Sequence, residues 1–504
     1  MIKRRVCRLL ACVLLVSALL GGVSAPASAA FADVPAGSWA ETSINRCVQS
    51  GLFQGETATR FGMGKPMTRA AFTVVLCRFF GWELIKPEQP TYEDVKDPTR
   101  WYYTAVETAC AKGAITRQTE TFRPNDPITR EEMAVMLVRA LGYTSLAGQA
   151  QELDMPFTDV TTNRGYIAMA YEMGIINGTS DTTFSPERTA TREQAAVMLM
   201  RLYDKYHCPA PGLMGIAAGQ EDSDWRGYET VAINGGRLSY ASRQALVTQP
   251  EQKRTAAQIE AIHEAGAKAL LRVTGSAAAL KGNVRALAAA LEEALREGGY
   301  DGLYLTFPKL TGKDASALVS LVHTVNGLMA AEKLLYVDVE APAWNGESSK
   351  AYHYGELAKA ADRLVLQIRP YQIWEGELMM APMEPVQEVY YALAELNDTV
   401  PAEKLCLQLT TTGSIWQGKQ GVGAADAAAL QEILSSENTR THYSEHYACA
   451  YLQQAGITPM RTVWYLDERA VQERVQLCGL FGVEQVSMGD AGAVPERILA
   501  GIRK

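Results

Sequence analysis

Pro127-Ile128-Thr129-Arg130-Glu131-Glu132-Met133 is the middle one of three variants of a single phrase. The others are Pro66-Met67-Thr68-Arg69-Ala70-Ala71-Phe72 and Thr189-Ala190-Thr191-Arg192-Glu193-Gln194-Ala195. The three arginines stand 61 and 62 residues apart, a period that points to tandem structural repeats. Each phrase reads as the start of a helix. The threonine is a natural N-cap, its hydroxyl accepting from a backbone N–H in the first turn. Thr129 with Glu132, and Thr191 with Gln194, have the spacing of a capping box, which Ala71 removes from the first copy. Apolar residues then recur with helical period: Phe72, Val75, Leu76, Phe79; Met133, Met136, Leu137, Ala140; Ala195, Met198, Leu199, Leu202.

The arginine is the unusual part of the phrase. A cation in the first turn lies at the positive end of the helix dipole, which is mildly unfavourable. Three such placements suggest an anion held where the helix N-terminus offers free N–H groups. The alternative is an arginine whose stem packs on the surface while its head stays in water.

Working outward, each copy opens alike: Phe31-Ala32-Asp33-Val34, Tyr92-Glu93-Asp94-Val95, Phe157-Thr158-Asp159-Val160. An aromatic follows, Trp39, Trp101 or Tyr166, and then a short helix ending at Gly51, Gly113 or Gly174, where glycine suits a left-handed C-cap. A loop with Phe61, Phe122-Arg123-Pro124 or Phe184-Ser185-Pro186 leads to the capped helix. The pattern resembles the S-layer homology (SLH) domain family, whose usual complement is three tandem copies. The resemblance implies an all-α pseudo-trimer that binds an anionic secondary cell-wall polysaccharide, often one bearing pyruvate ketals. It implies binding roles for Asp33, Trp39 and Arg69; Asp94, Trp101 and Arg130; and Asp159, Tyr166 and Arg192. The first copy departs from the family pattern at Met67 and Ala71. Taken alone, each aspartate could instead cap the first helix or brace the loop, and the aromatics could belong to the core.

Composition sets the compartment. At 504 residues the chain has room for two or three units, and 47% hydrophobic with 21% charged residues suits large cores. A net charge of −8 and the lack of any basic run exclude a nucleic-acid partner. Lys3, Arg4, Arg5 and Arg8 precede an apolar run from Leu9 to Leu20 and then Ala27-Ser28-Ala29, the order of an export signal over residues 1–30. That run is too short to span a bilayer, so no membrane span is expected after signal removal. Seven cysteines remain beyond it, with no CxxC pair and no metal-like cluster, so no cofactor or metal is expected. Cys77 stands where the other copies have Val138 and Met200, which marks it as core filler.

We therefore expect SLH repeats at 31–90, 91–150 and 151–206, a linker at 207–212 and a second module at 213–504. In the second module short apolar runs alternate with amphipathic stretches such as Val284, Leu287, Ala288, Leu291, Leu295. Strand candidates are Leu213–Ala217, Thr230–Ile233, Ala269–Thr274, Gly302–Phe307, Leu334–Glu340, Leu364–Pro370, Leu405–Thr410, Thr462–Leu466 and Val483–Met488. Alternation over this length predicts a C-terminal α/β (β/α)8 TIM-like barrel, with Thr462–Leu466 as an inserted piece.

The fourth run, Gly299-Tyr300-Asp301-Gly302-Leu303-Tyr304-Leu305-Thr306-Phe307-Pro308, resembles the barrel strand of family 18 glycoside hydrolases, written D-G-x-D-x-D-x-E. Those enzymes protonate the glycosidic oxygen with the Glu while the substrate's acetamido group attacks. Here the carboxylate positions hold Tyr304, Thr306 and Pro308. The family's Tyr-Asp pair falls on Arg369-Pro370, and its last-strand Trp falls on Val486. The expectation is thus a non-catalytic glycosidase-like barrel that binds glycan or protein, with peptidoglycan or chitin-like glycan as the partner. The alternative is an active wall glycosidase (chitinase- or N-acetylglucosaminidase-like) with relocated acids. Asp338 and Glu340 lie two apart on one strand face, as do Gln367 and Arg369 on the next, so Arg369 could pair with either acid. Trp344, Tyr371 and Trp374, just past strand ends, could stack on a sugar.

Overall fold

The computed structural model describes residues 31–502, except 118, 218–223, 344–347, 369–372, 375–376, 379 and 490–493. The export-signal expectation over 1–30 lies outside the described residues, as do Trp344, Arg369, Pro370 and Tyr371 and the side chain of Trp374. Close contacts divide the chain into two compact units. One runs through Gly142 and includes Pro156–Asn163 and Gly178–Tyr203; the other takes Tyr143–Met155, Arg164–Asn177 and the chain from Asp204 onward.

In the three repeats every phrase starts a helix: Arg69–Phe79, Arg130–Ala140 and Arg192–Tyr206. Thr68 and Thr129 cap their helices through the hydroxyl, and Thr129 with Glu132 closes a full capping box. The third copy keeps half of one: the Gln194 side chain accepts from the Thr191 N–H at 3.2 Å. A cap of this kind contributes about 1 kcal/mol. The shorter preceding helices are Glu41–Gln49, Tyr103–Ala111 and Arg164–Glu172. Gly51, Gly113 and Gly174 follow them in the left-handed region, at φ +72°, +76° and +64°. Cys77, Val138 and Met200 are all buried, as core filler requires.

The residues just before the caps close on one another. Met67 donates its N–H to the Ala190 carbonyl (2.9 Å), Ala190 to Ile128 (2.9 Å) and Ile128 to Met67 (2.8 Å). All three are buried, and each lies in a different copy.

The second unit contains eight parallel strands in a closed barrel: β1 (Gly212–Ala217), β2 (Thr230–Ala241), β3 (Lys268–Thr274), β4 (Gly302–Thr306), β5 (Leu334–Glu340), β6 (Arg363–Gln367), β7 (Leu405–Leu409) and β8 (Gln485–Met488). Each pairs with its neighbour, and β8 returns to β1. Crossover helices such as Val284–Gly298, with Leu287, Ala288, Leu291 and Leu295 buried, connect them. β2 runs on beyond its barrel segment and turns through Ser242 and Arg243 (φ +52° and +65°) into an antiparallel partner, Gln244–Thr248. That pair of positive φ values is the turn that matches strand twist. Between β7 and β8 a five-stranded antiparallel sheet is inserted, and Arg461–Tyr465 is one of its strands. The ninth strand candidate is thus the inserted piece.

Met214, Ile216, Ala232, Leu270, Tyr304, Tyr336, Val365 and Cys406 fill the barrel interior. Because strand faces alternate, these residues fix which side chains point inward on β1 to β7, and the register with β1 and β7 extends the pattern to β8. All seven described cysteines are free thiols. Among the described residues no helix is long and apolar enough to cross a membrane.

Candidate functional site

The three aspartates brace loops. Asp33 accepts the N–H groups of Phe61, Gly62 and Met63 at 2.7–3.0 Å. Asp94 accepts from Phe122 and Arg123, and Asp159 from Phe184 and Ser185. In each copy the second donor sits in the left-handed region: Gly62 at φ +89°, Arg123 at +59° and Ser185 at +58°. An arginine and a serine are held there at a local conformational cost, which the carboxylate offsets. Burial opposes the charge on Asp33 and Asp159, but the converging N–H donors overcome it and hold both carboxyls below their ordinary range.

The three arginines reach across repeats. Arg69 Nε donates to the Phe122 carbonyl (2.8 Å), Arg130 Nε to Phe184 (2.9 Å) and Arg192 Nε to Phe61 (3.0 Å). Each guanidinium also lies over the ring of that same phenylalanine, at 4.8, 4.6 and 4.9 Å. Contacts therefore run from copy one to two, two to three and three to one. The heads are not in water: Arg130 is buried, and the Arg69 side chain is 13% exposed. The expected free N–H groups at the helix starts are taken as well. Arg69 and Ala70 donate to Asp126 and Pro124, Arg130 and Glu131 to Arg188 and Pro186, and Arg192 to Lys65. An anion at these places would meet guanidinium rather than backbone.

Trp39 and Trp101 are not core residues; they are 62% and 64% exposed. Tyr166 is not their counterpart. It lies inside the helix Arg164–Glu172, half-buried, whereas both tryptophans precede their helices. Counting back from the C-cap glycines places Thr162 in the tryptophan position. Thr162 and Asn163 instead bond the buried carboxylate of Glu131, at 2.9 and 2.6 Å. Glu193 plays the corresponding part on the Gly64 N–H (2.9 Å).

In the barrel, β4 places Tyr304 and Thr306 on the inner face, and the fully buried Tyr304 ring fills the core. Pro308 lies just past the strand end and is exposed. Asp338 and Glu340 do face inward, since Asp338 pairs with Val365 and Glu340 with Gln367. The cation beside Asp338 is Arg272 of β3, with Nη2 at 3.7 Å. Sequence reasoning missed this arginine because it sits in the middle of an apolar run. Its guanidinium lies over the Tyr304 ring (5.3 Å), while Nη1 meets Asn234 (3.1 Å) and Nε meets Thr306 (3.3 Å). Gln408 donates to Gln367 at 2.9 Å. Burial pushes the Asp338 carboxyl up to about 6 against the opposing pull of Arg272, Gln367 and Thr306. Val486 faces outward, opposite Leu213 and Leu407; the inward residue of β8 is Ser487. The position assigned to the lost tryptophan therefore does not reach the barrel interior.

The family model described as "S-layer homology domain" matches residues 30–73, 91–134 and 156–196. The chain carries three S-layer homology domains. The SLH region is 34% identical over 177 residues to an endoglucanase of Bacillus sp. (strain KSM-635), an alignment covering 34% of this chain and 18% of that protein. It is 28% identical over 189 residues to an S-layer protein of Bacillus thuringiensis subsp. finitimus, covering 37% and 23%. The chain thus spans less than a quarter of the length of these relatives. SLH domains and S-layer relatives together indicate a secreted protein of the cell surface or cell wall. A chitinase from Chromobacterium violaceum ATCC 12472 superposes with TM-score 0.51 at 17% identity, over 58% of this chain and 98% of that one. The Bacillus cereus spore cortex-lytic enzyme SleL superposes with TM-score 0.50 at 14% identity, over 58% and 74%. At such identities the likeness establishes the barrel's fold.

Proposed function

We propose that an export signal at residues 1–30 is removed and that the SLH repeats anchor the protein to the wall. The three repeats group about a pseudo-threefold axis and bind an anionic secondary cell-wall polysaccharide. The exposed rings of Trp39 and Trp101 supply stacking surfaces for sugars. Guanidinium edges of Arg69, Arg130 and Arg192 supply the positive charge, and Asp33, Asp94 and Asp159 hold the loops that line each site. The barrel is a glycan-binding module without hydrolytic activity. One observation carries that part: the three positions for carboxylates hold a tyrosine packed in the core, a threonine and a proline. Losing a general acid alone costs about 10²–10⁴ in rate.

A second reading, a wall glycosidase with a relocated acid, draws on Asp338, whose Oδ1 makes no hydrogen bond of normal geometry. Zymography on peptidoglycan and on chitin oligomers between pH 4 and 8 separates the two. We expect no clearing above background. Turnover that disappears in Asp338→Asn or Glu340→Ala would establish the second reading instead. The anchor is tested by sedimentation with purified sacculi, which acid stripping of the polysaccharide should abolish.

A further inference from the structure

The inserted sheet and the last helix enclose a cavity that neither the wall anchor nor the barrel mouth uses. It lies outside the barrel wall: Met488 at its floor pairs with Gly215 and alternates with Ser487, the inward residue of β8. The deep end is a slot of about 50 Å³ walled by Leu430, Leu434, Leu466, Val471, Met488 and Ile498. Leu434 and Leu466 are half-buried, so apolar surface stays open there. The slot widens into a chamber of about 360 Å³ between the helix Ala427–Leu434, the start of Glu468–Phe481 and the helix Glu496–Ile502. Tyr465 and Arg497 line both parts, and Asp467 and Glu468 line the chamber. Its opposite charges are not paired with each other. Among the described residues Arg497 makes no hydrogen bond or ion pair, and the Tyr465 hydroxyl makes no hydrogen bond. Asp467 Oδ1 accepts the Ala470 N–H at 2.8 Å, which leaves Oδ2 available, and Glu468 accepts from Gln472 at 3.2 Å. Burial and then Asp467 push the Tyr465 hydroxyl up to about 12 while Arg497 opposes them, so both charges act on one hydroxyl.

We propose that this cavity binds a small aliphatic amino acid in its zwitterionic form. The ligand's carboxylate takes Arg497 and the Tyr465 hydroxyl, both of them donors, and its ammonium takes Asp467 with Glu468 beside it. The side chain enters the slot, whose size limits it to a short aliphatic group. The match needs both charges. A simple anion would meet Arg497 but also two carboxylates, and a simple amine would meet the carboxylates but also Arg497. A few converging polar groups at the mouth of an apolar slot is the usual form of a small-molecule site. The assignment is independent of what the repeats or the barrel mouth bind.

The test uses the full chain as wild type, Arg497→Met, Asp467→Asn and Leu434→Phe. Arg497 is exposed, and asparagine keeps the helix cap while removing the charge, so the first two variants should fold, which circular dichroism checks. Titration calorimetry probes both enantiomers of alanine and of valine, with isobutyrate and isobutylamine as single-charge controls. One enantiomer should bind wild type, and Arg497→Met and Asp467→Asn should each weaken it about tenfold. Neither control should bind. Leu434→Phe, which narrows the slot without touching a charge, should weaken valine more than alanine. Isobutyrate or isobutylamine binding as tightly as valine overturns the zwitterion assignment, because the site then reads a single charge. Equal binding of the amino acid by wild type and both charge variants overturns the roles of Arg497 and Asp467. No binding of any probe to folded wild type overturns the proposal altogether and leaves the cavity a packing void.

Discussion

Arg130 meets Phe184 twice, once through Nε on its carbonyl and once through the guanidinium over its ring. The pairing fixes the position of the next repeat's loop, so this arginine holds the assembly together whatever ligand it serves. Lysine cannot reproduce the planar contact or the Nε bond. We expect Arg130→Lys to lower the stability of the SLH region by about 1–2 kcal/mol, seen as a lower melting temperature. Sacculus binding by this variant must be measured well below that melt. Unchanged melting would show that the pairing contributes nothing.

The loop brace gives a second expectation. Asp159→Ala leaves the N–H groups of Phe184 and Ser185 without their acceptor and Ser185 unsupported in its left-handed conformation. The loss should be about 1–3 kcal/mol. Asp94→Ala should cost less, because Asp94 is solvent-exposed. Since the Asp159 carboxyl titrates below its ordinary value, its stabilisation is present above pH 4 and fades as the pH falls through the folded value. Acid titration of wild type and Asp159→Ala by circular dichroism should converge at low pH.

Arg272 and Asp338 make a loose pair in the barrel interior, 20% and 10% exposed. Removing only the cation strands a carboxylate among apolar and amide groups, and Arg272→Met should destabilise the barrel by about 3 kcal/mol. The double variant Arg272→Met, Asp338→Asn should recover most of that loss in urea unfolding. If both variants are equally unstable, Arg272 acts through its packing on Tyr304 and not through charge.

Glu384 supplies a test in pH. Burial pushes its carboxyl up to about 8, opposed by Arg474 and by the Thr410 N–H, which Oε1 accepts at 3.0 Å. Arg474 itself is fully buried and donates to backbone carbonyls of Glu384, Tyr447, Ala448 and Ala470. Below the unfolded value the acid is neutral in both states. Between pH 4.5 and about 8 the unfolded chain ionises while the folded protein keeps the proton, so wild-type stability falls across that window and levels off above it. Glutamine mimics the neutral acid and can keep the Thr410 bond. Glu384→Gln should therefore match wild type near pH 5 and exceed it by on the order of a few kcal/mol above pH 8.

Local signals carried much of this architecture into the sequence. Threonine caps, C-cap glycines and helical apolar stripes are short-range features, and they located the repeat helices. The barrel strands were legible as apolar runs because both strand faces are buried, with Leu334–Glu340 recovered to the residue. The inserted strands Thr439–Ser444 and Cys449–Gln454 were not. Their His442, Arg440 and Gln453 interrupt any apolar run, and antiparallel strands with one wet face carry a weaker signal. Arg272 was invisible because it is a single cation inside an apolar stretch whose partners come from distant segments, and Arg474 because Gln472, Glu473 and Gln476 around it read as a wet helix face. The position of Thr162 was recoverable, because both tryptophans stand twelve residues before their C-cap glycine. The aromatic nearest in kind was Tyr166, and composition outweighed register.

The hydrogen-bond triangle of Met67, Ile128 and Ala190 has an arithmetic consequence. Each copy gives one bond and receives one, so removing any member leaves one donor and one acceptor unmatched, and a fourth copy finds no place in the circuit. The number of repeats is therefore counted by the backbone itself. The direction of the bonds fixes the cyclic order of the three copies but not the starting point: a circular permutant beginning at the second repeat closes the same circuit.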